Sequence, residues 1–235
     1  MSIKLIVALD FNDRSQALSL IDQLDPSQCA LKIGHEMFTH FGPDFVRLLV
    51  SRQFKVFLDL KFHDIPNTVS RACKASADLG VWMINVHASG GLAMMEAASE
   101  AVQSYGTSRP LLIAVTVLTS MSTADLQSIG VKESIENRVC FLAGRAQESG
   151  LDGVVSSALE VPAIKLQCGK AFLTVTPGIR LKDSLADDQA RIITPQAAIN
   201  AGSDYLVVGR PITQARVPAT VVHDILSSIA INTLV

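Results

Sequence analysis

Three ionisable residues follow an apolar run in the segment KVFLDLKFHDIPNTV, which spans residues 55–69. Asp59 and Lys61 are separated by a single residue, and Asp64 follows shortly after them. Side chains two apart on a strand point to the same side, so Asp59 and Lys61 are expected to share one face. An unpaired charge in a protein interior costs several kcal/mol, so acids and a base grouped at the end of a buried strand indicate a chemical role.

A lysine held between carboxylates is suited to donating a proton. Nearby negative charges favour the protonated form of the amine, whereas a lysine that forms a Schiff base has to lose its proton. We therefore interpret Lys61 as a general acid. Lys32 comes from the preceding strand, and we expect an alternating network in which each lysine contacts two carboxylates. Because interleaved lysines would repel a divalent cation, we expect no metal in this site.

Short apolar runs of β-rich composition recur along the chain, with stretches of helical periodicity between them. The runs occupy residues 4–10, 29–34, 55–61, 82–88, 111–119, 153–157, 172–178 and 205–210. Strands that alternate with helices form parallel sheets. Eight such units predict a (β/α)8 TIM barrel that forms a single domain over residues 1–235. An open, doubly wound sheet is the competing architecture, but no GxGxxG motif follows the first run.

The segments between the runs also carry signals for individual elements. DRSQALSLIDQLD places Leu18, Ile21 and Leu24 on one stripe, which predicts the buried face of the first helix. Gly106 is expected to cap the helix after the fourth run at its C-terminal end. The segment RLKDSLADDQARIITPQ, residues 180–196, is long and irregular, which predicts a loop that closes over a ligand.

Composition limits the partners of this chain. Apolar residues make up 49% of the 235 residues, charged residues 18%, and the formal net charge is -2, which indicates a globular protein that does not bind polymeric nucleic acid. No apolar run approaches the roughly 20 residues of a membrane-spanning helix. The N-terminal MSIKLIVALDF does not resemble a signal peptide, so we expect a cytoplasmic protein.

Cys29, Cys73, Cys140 and Cys168 are far apart, and we interpret them as reduced core residues rather than as zinc ligands or disulfides.

Polar residues recur at the carboxyl ends of the predicted strands, where a closed barrel builds its active site. They are Asp10, Lys32, Asp59, Lys61, His87, Thr119, Ser156, residues 177–180, Gly209 and Arg210. Their convergence on one face of the barrel predicts a catalytic site. The alternative is an internal salt-bridge network that affects only stability or folding specificity.

The segments TVTPGIR and VVGRPIT follow the seventh and eighth runs, where barrels of this class often bind phosphate. Gly178 and Gly209 allow backbone N–H groups to approach phosphate oxygens, and Arg210 can make a bidentate contact. Both segments could instead be ordinary turns between a strand and a helix. A ligand with a phosphate at one end and its reacting part near Lys61 fits the two locations.

FLDLKFHDIPNTV resembles the signature of the orotidine 5'-phosphate decarboxylases, cofactor-free enzymes that make UMP in pyrimidine synthesis. The similarity continues in family order through IVALDF, LKIG, NVHASGG, TVLTS, VTPGIR and VVGRPIT, over nearly the whole chain. The pattern DxKxxD alone is shared with related barrel enzymes that act on sugar phosphates. DIPNT together with GRPIT is far more specific.

The resemblance implies roles for the charged residues around the reacting part of the substrate. Asp10 and Lys32 would contact the ribose hydroxyls, and Lys32 would also bridge carboxylates. Asp59 would lie beside the carboxylate of orotidine 5'-monophosphate. Lys61 would protonate the ring carbon from which CO2 departs, with no cofactor.

The resemblance also implies a homodimer, in which Asp64 and Thr68 reach across the interface into the neighbouring subunit's site. Thr119 would read the edge of the pyrimidine, and His87 is interpreted as structural. The phosphate and the closing loop would be held by Arg180, Gln189, Gly209 and Arg210. Leu181 and Lys182 stand where the family pattern leads us to expect a Pro or Gly, which affects the predicted loop conformation and the position of Gln189.

Two other functions remain open from the residues. A metal-assisted decarboxylase or aldolase of the same barrel group, acting on a sugar phosphate, would require magnesium. A barrel that only binds a phosphorylated metabolite would show binding without turnover.

Overall fold

A computed structural model of the chain describes residues 3–181 and 193–230. Eight parallel strands pair in sequence order, and β8 pairs with β1, so the sheet closes into a barrel. The strands are β1 Leu5–Leu9, β2 Cys29–Gly34, β3 Val56–Phe62, β4 Met83–His87, β5 Leu111–Val115, β6 Gly153–Val155, β7 Leu173–Thr176 and β8 Tyr205–Val208. The predicted (β/α)8 barrel is confirmed, and the open sheet is excluded because both of its edges would be unpaired.

Helices follow the strands and cover the outside of the barrel. They are α1 Arg14–Ile21, α2 His35–Ser51, α3 Pro66–Ala77, α4 Leu92–Gln103, α5 Thr123–Ser128, α6 Ile135–Glu148, α7 Val161–Cys168, α8 Pro195–Asn200, α9 Arg210–Thr213 and α10 Pro218–Ala230. Among the described residues, no helix combines the length and the apolar character needed to cross a membrane.

The core has two layers because side chains alternate along each strand. On β1, Ile6 and Ala8 belong to a cluster inside the barrel, whereas Leu5, Val7 and Leu9 belong to a larger cluster between the strands and the helices. Strands that bury both faces read as continuous apolar runs, which is why the eight runs were recognisable in the sequence.

The ladder between β3 and β4 is interrupted near the C-terminal end of β3. Leu58 pairs with Ile84 and Phe62 pairs with Val86, so β3 advances four residues while β4 advances two. Lys61 lies in this bulge with a φ of +46°, in the left-handed region that residues other than glycine rarely adopt. Bulges of this kind occur next to active sites, where they redirect a side chain.

Two helix predictions were wrong in detail. The helix α1 ends at Ile21, so Leu24 lies in the turn that follows, and the buried face is formed by Ala17, Leu20 and Ile21. The helix α4 ends at Gln103 rather than near Gly106. The hydroxyl of Tyr105 hydrogen-bonds to Lys74 O and to Asp78 Oδ1, which ties the chain to α3 before the glycine is reached.

The four cysteines are free thiols, and three of them are buried as predicted. Cys140 is only partly buried, so the prediction of a core position is wrong for that residue. Burial raises the pKa of both Cys29 and Cys73 to about 12. Most of the predicted closing loop, including Lys182 and Gln189, lies outside the described residues.

Candidate active site

A layer of mostly polar residues lies directly above the apolar interior of the barrel. The interior residues Ala8, Ala30, Phe57, Met83, Val175 and Val207 are each followed, two positions later, by a residue of this upper layer. Its members are Asp10, Lys32, Asp59, Asn85, Pro177 and Gly209. The alternation of the strands therefore converts six separate sequence positions into one ring at the barrel mouth.

Five of these six residues, all except Asn85, line a cavity of about 350 Å3 at the carboxyl ends of the strands. The cavity floor is apolar, formed by side chains such as Phe57, Val155 and Val175. Ten of the residues proposed from the sequence line the cavity: Asp10, Lys32, Asp59, Lys61, Thr119, Pro177, Gly178, Arg180, Gly209 and Arg210. An apolar pocket with a few converging polar groups is the usual form of a small-molecule site.

The charged residues alternate in sign along one side of the mouth. Lys32 Nζ lies 3.5 Å from Asp10 Oδ1 and 3.4 Å from Asp59 Oδ2. Lys61 Nζ lies 2.7 Å from the other oxygen of Asp59, Oδ1. Lys32 thus contacts two carboxylates as expected, but the Lys61 ammonium pairs with only one carboxylate, that of Asp59, among the described residues of this chain. The network is incomplete at its Lys61 end.

Burial is greatest in the middle of this network, and the side chain of Lys61 at its far end is 26% exposed. The side chain of Asp10 is 65% exposed, whereas that of Asp59 is 10% exposed and that of Lys32 is 12% exposed. Ionised groups in such a position are stabilised only if their charges and hydrogen bonds are satisfied. Both oxygens of Asp59 have a cationic partner, so the carboxylate is held in place on two sides.

Asn85, which was not among the residues predicted from the sequence, completes the hydrogen bonding of this group. Asn85 is wholly buried on β4. Its Nδ2 atom donates to Asp59 Oδ1 over 2.7 Å, and its Oδ1 atom accepts from the backbone N–H of Lys61, also over 2.7 Å. A signal was present in the segment WMINVHA, where an amide occupies an inward position of an otherwise apolar strand. Buried amides need partners.

A second group of polar residues lines the cavity at β7 and β8. Gly178, Arg180, Gly209 and Arg210 belong to this group. In a closed barrel of eight strands, β7 lies diametrically opposite β3. Gly178 has a φ of +80°, a backbone conformation that residues with a side chain rarely adopt. Arg180 and Arg210, which follow β7 and β8, thus line the cavity on the side away from the strand that carries Asp59 and Lys61.

The remaining sequence-based candidates lie elsewhere. Asp64 is exposed in the loop after β3, and Thr68 is exposed in the first turn of α3. Neither lines the cavity within the described part of this chain. His87 and Ser156 also lie outside it. Gln189 lies outside the described residues, so its predicted contact with phosphate stays a prediction.

His87 ends β4 next to the charged group. Its ring centroid lies 5.4 Å from that of His63. Burial lowers the pKa of His87, and the nearby His63 and Lys61 lower it further, while Asp59 opposes the change. His87 is therefore held in its neutral form, which fits the structural role assigned to it.

The ionisable residues of the mouth do not group in the way that metal ligands do. Within residues 3–181 and 193–230, no three His, Cys, Asp or Glu side chains come together to hold a metal ion. The oxygens of Asp10 and Asp59 instead face lysine ammonium groups.

Comparison with known proteins identifies the family. The model of the "Orotidine 5'-phosphate decarboxylase / HUMPS family" matches residues 3–225. Orotidine 5'-phosphate decarboxylase of Legionella pneumophila (strain Paris) is 61% identical over 226 residues, which cover 96% of this chain and 99% of the relative. The protein of the same name from Vibrio cholerae (strain O395) is 59% identical, covering 96% of this chain and 98% of the relative.

A solved structure agrees with these relatives. The crystal structure of orotidine 5'-phosphate decarboxylase from Lactobacillus acidophilus is similar with a TM-score of 0.87 and 39% sequence identity, and the match covers 97% of this chain and 99% of that chain. Family model, relatives and fold agree over nearly the whole sequence. The chain belongs to the orotidine 5'-phosphate decarboxylase / HUMPS family.

Proposed function

We propose that this chain is a carboxy-lyase that converts orotidine 5'-monophosphate to UMP without a metal or coenzyme, and that Lys61 supplies the proton. The observation that carries the proposal is the 2.7 Å contact between Lys61 Nζ and Asp59 Oδ1 at the cavity that also receives Arg180 and Arg210. The names of the close relatives support the same reaction. The reaction belongs to pyrimidine nucleotide synthesis.

The chemical step requires one bond to break and one to form. The bond between the pyrimidine ring and the carboxylate breaks, CO2 leaves, and the electron pair stays on the ring carbon. The Lys61 ammonium stabilises this developing negative charge and transfers a proton to the same carbon. Lysine then recovers its proton from solvent. The reaction is balanced with no oxidant, reductant or metal.

Asp59 fixes the direction of the Lys61 ammonium before substrate arrives. Charges that are already oriented stabilise a transition state without reorganising, which is often the largest contribution to catalysis. Lys32 holds the second oxygen of Asp59 and also contacts Asp10. We assign Asp10 and Lys32 to the ribose hydroxyls, as the resemblance to the family implies. Thr119 lines the cavity and is assigned to the pyrimidine edge.

The phosphate is assigned to the region of β7 and β8. Arg180 and Arg210 bring two guanidinium groups to the cavity, and guanidinium is well suited to bidentate contacts with phosphate. Gly178 and Gly209 keep the backbone open on the same side. Gln189 is assigned to the phosphate as well. The phosphate would then lie across the cavity from Lys61, so that its binding energy can hold the ring in place.

We further propose that the active unit is a homodimer. Residues 63–68 form a continuous exposed run after β3, and the side chain of Ile65 within it is 66% exposed. Asp64 and Thr68 of one subunit would serve the site of the other. A carboxylate from the partner would supply the second acid that Lys61 lacks within the described residues of its own chain.

The compartment we propose is the cytoplasm. Cys29, Cys73, Cys140 and Cys168 are all free thiols, the state that cytoplasmic reductants maintain.

The test is an assay of purified protein with orotidine 5'-monophosphate in the presence of EDTA, following the loss of orotate absorbance. We expect UMP and CO2 to form at the same rate with and without the chelator. A requirement for magnesium would instead favour a metal-assisted enzyme that acts on a sugar phosphate. Calorimetry that detects binding without turnover would favour a barrel that only binds a phosphorylated metabolite.

A further inference from the structure

One buried amide joins the acid and the base of the proposed reaction. Asn85 is 0% exposed and lies on the inward face of β4, two residues beyond the interior residue Met83. It hydrogen-bonds to the carboxylate of Asp59 and to the backbone N–H of Lys61, each over 2.7 Å. No other described residue outside this pair hydrogen-bonds to both.

The two partners fix the orientation of the amide. A backbone N–H can only donate, so the oxygen of Asn85 must face Lys61. An ionised carboxylate can only accept, so the NH2 group of Asn85 must face Asp59. Neither contact can be kept if the amide rotates. Only one orientation of the Asn85 amide therefore allows both hydrogen bonds to form.

Asn85 contacts Lys61 at a point where regular pairing with β4 does not hold the backbone of β3. Between Leu58 and Phe62 the ladder to β4 is interrupted, and Lys61 takes a left-handed conformation. This conformation is unfavourable for a residue with a Cβ atom, so it persists only where the surroundings fix it. The Asn85 side chain supplies the acceptor that a regular strand pair would have supplied from its backbone.

We propose that Asn85 is a positioning residue for decarboxylation, which sets the separation of the Asp59 carboxylate and the Lys61 ammonium. The inference rests on the proposed roles of Asp59 and Lys61. Asn85 does not line the cavity within the described part of the chain, so it acts through these two residues rather than on the substrate. Its loss is expected to slow the chemical step and to leave ligand binding nearly unchanged.

The first experiment compares Asn85→Ala with the control Thr174→Val. Thr174 is also wholly buried on a barrel strand, but its hydroxyl hydrogen-bonds to Asp204, and it does not line the cavity. We expect Asn85→Ala to lower kcat by about 100-fold, the scale of loss for a small misplacement of reacting groups. The Kd for UMP, measured by calorimetry, is expected to stay within a few-fold. Thr174→Val should lower the Tm without changing kcat.

The second experiment uses Asn85→Asp, which keeps the shape and the acceptor for Lys61 but replaces the donor with a carboxyl group facing Asp59. Two facing carboxyls share a proton that a single one would have lost. While that proton remains, the new carboxyl can donate to Asp59 as the amide does, whereas two ionised carboxylates would repel each other. The pH profile of kcat should therefore gain an alkaline limb, with activity kept at low pH and lost as the pH is raised. Thr174→Val should keep the profile of the unmodified protein.

A third measurement needs no variant. The backbone amide of Lys61 should exchange slowly with deuterium, although it belongs to a bulge at the barrel mouth. The amide of the exposed His63 nearby should exchange rapidly. Equal, rapid exchange at both positions would mean that Asn85 does not hold Lys61, and would overturn the proposal even if no Asn85 variant folds.

The outcomes separate this inference from the proposed function. If the unmodified protein releases no CO2 from orotidine 5'-monophosphate, the proposed function fails. If it does, but both Asn85 variants keep its kcat and pH profile and lose only thermal stability, then Asn85 is a structural residue and the inference is wrong.

Discussion

The ammonium of Lys61 lies 2.7 Å from Oδ1 of Asp59, although the backbone of Lys61 has left the strand conformation that Asp59 still follows. Simple alternation along a strand would also place the two side chains on one side. Here their contact depends on a bulge that turns Lys61 and on a hydrogen bond that holds the turned backbone. The acid and the carboxylate are thus positioned by two neighbouring strands together.

Replacement of Lys61 tests the proton donor. We expect Lys61→Ala to lower kcat by at least about 10²- to 10⁴-fold, the usual contribution of a positioned acid, because no other ammonium contacts Asp59 Oδ1 among the described residues. Asp59 keeps Lys32 as a partner, so the fold should survive. UMP, which has already lost the carboxylate, should still bind in a calorimeter.

Lys55→Ala is the matched control for this variant. Lys55 is an exposed residue just before β3 and lies over the ring of Trp82, away from the cavity. Its loss should leave kcat unchanged. Near-normal turnover in Lys61→Ala would show that another group supplies the proton.

Much of this arrangement could be predicted because the strands of a parallel barrel leave a recognisable pattern in the sequence. Strands buried on both faces appear as apolar runs, and polar residues at or near the ends of these runs lie at the mouth. Asp10, Lys32, Asp59 and Arg210 were found in this way, and all four line the cavity.

Other features depend on contacts between strands and could not be predicted from local pattern. The bulge at Lys61 is defined only by the pairing of β3 with β4, so nothing in the local sequence specifies its left-handed conformation. The role of Asn85 follows from the same pairing. Tyr105, just after the end of α4, hydrogen-bonds to Asp78, which directly follows α3, and no local pattern announces that contact.

The phosphate assignment predicts a loss that depends on the substrate. We expect Arg210→Ala to lower kcat/KM for orotidine 5'-monophosphate by about 10- to 100-fold, since a hydrogen bond to a charged group contributes about 1.5–3 kcal/mol. With orotidine, which lacks the phosphate, the variant and the unmodified protein should react equally slowly. Steady-state kinetics with both substrates measure the difference.

Arg47→Ala is the control for a nonspecific effect of lost positive charge. Arg47 is an exposed residue of α2 that pairs with Asp44. It should have normal kinetics with both substrates. If Arg210→Ala were equally impaired with orotidine, Arg210 would act on the fold or on the ring rather than on the phosphate.

The proposed homodimer predicts complementation between two inactive variants. Lys61→Ala lacks the acid of its own site, and Asp64→Ala lacks the carboxylate proposed for the partner's site. A mixed dimer would contain one site with both defects and one intact site, because the two interfaces of a symmetric dimer are equivalent. Random mixing should therefore restore about a quarter of normal activity.

The measurement is the specific activity after the two variants are unfolded and refolded together. Each variant refolded alone provides the baseline, and unmodified protein carried through the same procedure gives the full value. If the mixture shows only the average of the separate variants, Asp64 serves its own subunit or has no part in the reaction.

The lowered pKa of His87 predicts how the free energy of unfolding depends on pH. Burial and the positive charge of neighbouring groups lower its pKa in the folded protein, whereas the unfolded chain has the ordinary value of about 6.5. Between these two values the unfolded chain binds more protons than the folded protein, so stability falls as the pH falls. The contribution of neutral His87 to the free energy of unfolding is fully present above pH 6.5 and is lost as the pH drops towards the lowered pKa.

Urea unfolding between pH 7.5 and 5 can measure this loss against His87→Gln, which has no group that titrates in that range. The free energy of unfolding should fall more steeply in the unmodified protein than in His87→Gln, so that the difference between them shrinks at low pH. His40→Gln, at an exposed position of α2, is the control and should follow the unmodified protein. Parallel curves for all three proteins would mean that His87 is protonated equally in both states, and that neighbouring positive charge does not hold it neutral.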